Sequence, residues 1–144
     1  MTGPARLPDE DVVHDRADTG AEDLAAAARA AEVDAWCARL VDDQRGAIEH
    51  LRAQLRVIVP EATEGIHYRV PTFFLDGPLV ALTVNRSELT LITMRPGLLQ
   101  SMRAGLSGVS WSGSTLRTPL GEPFPDAVLR EIVLARAHQN ATGT

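Results

Sequence analysis

The stretch Pro60-Glu61-Ala62-Thr63-Glu64-Gly65-Ile66-His67-Tyr68-Arg69-Val70-Pro71-Thr72-Phe73-Phe74 decides how the fold is read, because a helix ends at its start and strands begin at its close. Proline at 60 disfavours helical geometry at Val59. Upstream, Ala47, Ile48, Leu51, Leu55, Ile58 and Val59 recur with a 3.6-residue period, which predicts an amphipathic helix stopping at that proline. Downstream, apolar runs at residues 72–75, 79–84 and 89–94 are separated by Asp76-Gly77-Pro78 and Asn85-Arg86-Ser87-Glu88. Both separators suit turns, so the runs predict an antiparallel meander. Polar side chains gather where helix gives way to sheet, and a site is expected there.

Toward the N-terminus, Asp42 and Asp43 are expected to cap that helix. Val33, Trp36, Cys37 and Leu40 share one face of a shorter helix, which should dock through this stripe with the Trp36 ring buried. Thr19-Gly20-Ala21-Glu22 has the pattern of a capping box ahead of an Ala-rich segment at residues 24–31. Residues 1–18, rich in Pro, Asp and Gly, cannot bury enough surface to offset ordering entropy. Residues 1–30 are therefore read as a disordered acidic tail running into a helical lead-in, and residues 31–140 as the domain.

Toward the C-terminus, Pro96 suits the first turn of a short helix carrying Leu98, Leu99 and Met102, with Gly105 as its stop. A further strand is expected at residues 115–118. After the Pro-rich loop at 119–125, a last helix over residues 126–138 turns Val128, Leu129, Ile132 and Val133 inward. The order αα-βββ-α-β-α gives an α+β class, with an antiparallel sheet of about four to five strands and helices packed on one face.

Composition narrows the function. The chain has 144 residues and a net charge of −5. Residues 1–34 carry nine acids against three arginines, whereas residues 35–144 carry ten against eleven, so the body is nearly neutral. No clustered positive face is available for a phosphate backbone, and nucleic acid is not expected as a partner. All 14 basic residues are arginine, which removes Schiff-base lysine chemistry and the P-loop lysine. No apolar run approaches the roughly 20 residues of a membrane span. The first residues do not read as a targeting segment, and the single Cys37 fits a reducing compartment. A cytoplasmic location is expected.

No catalytic motif is present. His14, His50, His67 and His138 lack metal-ligand spacing, and Ser112-Gly113-Ser114 is not a nucleophile elbow. Glu61, Glu64 and His67, three apart, offer two oxygens and a nitrogen of the kind ferrous iron accepts. They also suit ordinary loop residues in water. Tyr68 and Arg69 offer a hydroxyl and a guanidinium fork for a carboxylate or phosphate, and Trp111 with Arg117 and its neighbouring serines offers a stacking face beside a second fork. The first pair also suits plain packing at a sheet edge, and the second group a flexible loop with one buried anchor.

The spacing Pro-Glu-x-x-Glu-x-Ile-x-Tyr-x-x-Pro-x-Phe, met by Pro60, Glu61, Glu64, Ile66, Tyr68, Pro71 and Phe73, resembles the central signature of the YdhG-like family of small bacterial proteins. Val33-Asp34-Ala35-Trp36 resembles that family's opening. Thr115-Leu116-Arg117, Pro119-Leu120 and Glu122-Pro123-Phe124-Pro125 resemble its late motif. Part of the family is described as frataxin-like intracellular iron chaperones. The resemblance, spanning about residues 33–138, implies a non-enzymatic binding protein with iron at Glu61, Glu64 and His67. The chain departs from the pattern at His67 and at Arg69, where the family often has glycine. It also has Arg86-Ser87-Glu88-Leu89 where a family histidine is usual. The second expectation is a module for a small anionic ligand or a protein partner, built from Tyr68, Arg69, Trp111 and Arg117 and dimerising through a sheet edge or face.

Overall fold

The computed structural model describes residues 3–143, with side chains from Gly20 onward. The disordered segment expected over residues 1–18 and the helix start expected at Thr19 fall outside the residues described with side chains. The elements follow in the order α1 (Gly3–Ala38), α2 (Asp42–Ile58), β1 (Thr63–His67), β2 (Val70–Phe74), β3 (Pro78–Val84), β4 (Glu88–Ile92), α3 (Leu98–Ser101), a 3-10 turn (Arg103–Gly105), β5 (Ser110–Ser112), β6 (Thr115–Pro119) and α4 (Asp126–Thr142). This is the α+β arrangement that the sequence predicts.

The helix periodicities hold. Val33 and Cys37 of α1 are buried, as are Ile48, Leu51 and Leu55 of α2. Trp36 departs from the expectation: its ring is only partly buried, because its indole Nε1 donates to the Arg69 carbonyl at 3.0 Å instead of sinking into the core. The cap of α2 is also displaced. Val41, extended and without a side-chain cap, precedes the helix, while Asp42 and Asp43 occupy its first turn and complement the positive end of its dipole. The helix gives way at Val59, one residue before Pro60.

The strands form one antiparallel sheet in the order β1-β2-β3-β4-β6-β5. Six strands replace the four to five expected, the additions being the two edges. Thr63-Glu64-Gly65-Ile66-His67 carries a charge and a glycine, so local propensity does not announce a strand. Pairing with β2, from Thr63 opposite Phe74 to His67 opposite Val70, makes it one. Gly65 is there for space: a Cβ on it would stand 3.3 Å from the Phe74 ring and 3.6 Å from the Arg29 side chain of α1. At the other edge, β5 has three residues, too few to show alternation.

Paired positions place their side chains on the same face. Leu82, Leu91, Leu116 and Trp111 form one such row, and Phe73 with Val80 another. These rows meet Ile48, Leu51, Leu55, Leu129, Ile132 and Val133 of α2 and α4 in the core. The opposite face carries Thr72, Ala81, Ile92, Thr115 and Ser112 in one row and Thr83, Thr90, Arg117 and Ser110 in the next. Polar and small residues dominate it, and it is not bare: Thr72 and Ala81 are buried, and α1 reaches its β1 edge through Arg29 beside Gly65.

Candidate functional site

Strand alternation separates the residues first considered for a metal. Glu64 pairs with Phe73 and shares its helix-facing side, where it is 8 % exposed. Its Oε1 accepts from Arg52 Nε at 2.8 Å and its Oε2 from Arg56 Nε at 2.7 Å. Arg52 also donates to Asp34 at 2.9 Å and Glu49 at 2.7 Å. Burial pulls the Arg52 pKa down, but the hydrogen bonds to Glu64 and Asp34 outweigh it and leave the group above its ordinary value. Glu64 is thus the anionic centre of a cluster fastening β1 to α2 and, through Arg52, to α1.

His67, three residues on in a strand of period two, points to the other face. There its ring meets Tyr68 at 4.4 Å and Phe74 at 5.8 Å, both edge-on. Glu61 is exposed in the turn before β1. The three side chains do not converge, and both Glu64 oxygens are already engaged by guanidinium groups. The donor set does not fit an iron ion. Among the described residues no group of three or more His, Cys, Asp or Glu is arranged to hold a metal.

The second set is divided as well. Tyr68 and Arg69 are the two-residue loop of the β1–β2 hairpin, with φ of 49° and 71°. Two positive φ values mark a type I′ loop, normally built from Asn and Gly. Trp111 and Arg117 lie on β5 and β6 at the far edge, with β2, β3 and β4 between β1 and β6. At about 4.8 Å per strand, β6 lies roughly 20 Å from β1. Arg117 instead donates to Ser112 Oγ at 2.9 Å. Even the turn residues part company. Arg69 lines a groove on the α1 side with Glu32, Trp36 and Arg39, whereas Tyr68 borders a different pocket.

That pocket, of about 590 Å³, lies on the face opposite the core. His67 and Tyr68 border it at the hairpin tip; Val70, Ala81 and Ile92 give it an apolar floor; Pro78, Met94 and Arg136 complete it. Met94, like Tyr68, has a positive φ, of 59°. Arg136 comes from α4 and is 2 % exposed. Its Nε donates to the carbonyls of Leu79 at 3.1 Å and Thr93 at 2.6 Å. Nη1 donates to Gln139 Oε1 at 3.2 Å and Asn140 Oδ1 at 3.0 Å, and Nη2 to the Pro78 carbonyl at 2.9 Å. Every one of these acceptors is neutral. Burial, with the charge of Arg95, pushes the Arg136 pKa below its ordinary value. The sequence held a signal for this residue: Leu129, Ile132 and Val133 are buried, and Arg136 continues their stripe at i+7, i+4 and i+3.

No family model matches the chain, and no curated protein does. Among solved structures, YdhG of the DUF1801 family from Bacillus subtilis is similar, with a TM-score of 0.69 at 15 % sequence identity, covering 76 % of this chain and 91 % of that one. The likeness is one of fold.

Proposed function

We propose that the chain is a YdhG-like binding module, without chemistry of its own, that takes a small anion in the pocket between the β1–β2 turn and Arg136. One observation carries the reading: a guanidinium 2 % exposed, held only by neutral acceptors among the described residues, borders an apolar pocket. Charges taken out of water are ordinarily paired, and an apolar pocket with a few convergent polar groups is the usual form of a small-molecule site. A bound anion would supply the missing counter-charge. Family membership is supported by the shared fold and by the signature from Pro60 to Phe73, which places its tyrosine at the pocket rim. The pocket offers no activated nucleophile, so recognition rather than turnover is the fitting role.

Amide spectra of the labelled protein, titrated with a panel of small anions and their neutral analogues, test the reading. Shifts are expected at residues 67–70, 78–81 and 92–94 with anions. Shifts centred on Trp111 and Arg117 would move the site to the far edge of the sheet and overturn the proposal.

A further inference from the structure

We infer that the anion is a carboxylate on an apolar body, not a phosphorylated compound; this rests on the pocket proposed above and names its ligand class. A guanidinium has five N–H donors. In Arg136 the Nε hydrogen is shared between two carbonyls, both Nη1 hydrogens have amide oxygens, and one Nη2 hydrogen has the Pro78 carbonyl. One Nη2 hydrogen is left without an acceptor among the described residues, at a group that borders the pocket. Phosphate groups are met by forked guanidinium pairs or by several amides of a helix N-terminus. The pocket offers neither, because the Arg136 fork is spent on the backbone and no helix N-terminus contributes to the lining. A carboxylate needs less. One charge-assisted hydrogen bond from Arg136 anchors it, with His67 and Tyr68 bordering the same space.

The remainder of the lining selects the rest of the ligand. Val70, Ala81 and Ile92 present hydrocarbon and Met94 a thioether that accepts only weakly, so a polar body such as a sugar would lose its hydration without replacement. A chain or ring loses nothing there, and each methylene buried adds about 0.8 kcal/mol. At 590 Å³ the space is within the range that small organic ligands fill.

Calorimetry and amide shifts with octanoate, butyrate, octanamide, octyl phosphate and inorganic phosphate test the assignment. Octanoate should bind, octanamide at least tenfold more weakly, and butyrate about two-hundredfold more weakly, as expected from four methylenes at about 0.8 kcal/mol each. Inorganic phosphate should shift nothing in the pocket. Octyl phosphate binding more tightly than octanoate, or octanamide binding equally well, overturns the carboxylate assignment while the pocket stands. Absence of pocket shifts with every probe overturns the pocket itself. Because Arg136 holds five backbone or side-chain neighbours in place and its replacement risks the fold, the decisive variant is Val70→Trp, which fills the pocket from a half-buried position. It should abolish octanoate binding with thermal unfolding unchanged, whereas Arg117→Ala at the far edge should leave binding intact. Octanoate affinity unaltered by Val70→Trp overturns the inference.

Discussion

Arg52 and Arg136 are both buried, at 1 % and 2 % exposure, and their surroundings differ in kind. Arg52 faces three carboxylates, Asp34, Glu49 and Glu64, while Arg136 faces carbonyl and amide oxygens. The first arrangement is closed by its own carboxylates, whereas the second has only neutral acceptors among the described residues. Replacing Glu64 should therefore harm stability rather than ligand binding. Glu64→Gln is expected to cost about 3 kcal/mol in denaturant titrations, the lower end for breaking a buried pair, since Asp34 and Glu49 still hold Arg52. A change below about 0.5 kcal/mol would show that the cluster contributes nothing to stability. In the sequence, Glu61, Glu64 and His67 had looked like a ligand set because a three-residue spacing brings groups together in a helix or turn. In β1 the same spacing puts Glu64 and His67 on opposite faces. Arg136 is hidden in the sequence for a different reason: a charge inside an apolar stripe near the end of a helix reads as a solvated terminus until the sheet packed against it is known.

At the scale of elements, the β1–β2 hairpin is where local and tertiary preferences conflict. Tyr68 and Arg69 adopt left-handed conformations that favour Asn and Gly, at a cost of about 1–2 kcal/mol each. The turn is held by His67 pairing with Val70 and by the Trp36 indole on the Arg69 carbonyl. Strain of this sort is retained when the side chains at the turn are needed, and Tyr68 borders the pocket while 87 % exposed. Replacing Tyr68-Arg69 by Asn-Gly should raise stability by about 1–3 kcal/mol, measured as a higher denaturation midpoint, and weaken octanoate binding. A destabilised variant would mean that the two side chains contribute more than their backbone costs. The helices α2 and α4 and the strands β2, β3, β4 and β6 were legible because their periods were long and bounded by Pro, Gly or polar turns. The two edge strands were not: β1 lacks an alternating pattern and its loop lacks the usual residues, and β5 is too short to display one. The position of Tyr68 and Arg69 turns on that strand: as a plain loop they could reach Trp111 and Arg117, whereas at the end of β1 they sit at the opposite edge of the sheet.

The whole molecule joins two hairpin systems across one non-sequential pair. β1, β2, β3 and β4 lie beside their neighbours in sequence, as do β5 and β6, while β4 meets β6 across the intervening residues 93–114. Closing that connection carries an entropic cost that sequential hairpins avoid. The order in which the chain folds is thereby constrained: the β1–β4 meander with α2 can assemble from near contacts, and β6 joins after the longer loop has closed. Leu82 and Leu116 are both fully buried and separated in the same row only by Leu91, so truncating either to Ala should cost about 2–5 kcal/mol. In stopped-flow experiments Leu82→Ala should chiefly slow refolding, whereas Leu116→Ala should chiefly hasten unfolding. Equal slowing of refolding by both would place β6 in the rate-limiting step. Arg136 of α4 donates to the Thr93 carbonyl at the start of that connection and lines the pocket beside Met94, so the pocket takes its final shape only when α4 has docked. A ligand that fills it will therefore act on the unfolding rate, prolonging the life of the folded chain without hastening its formation.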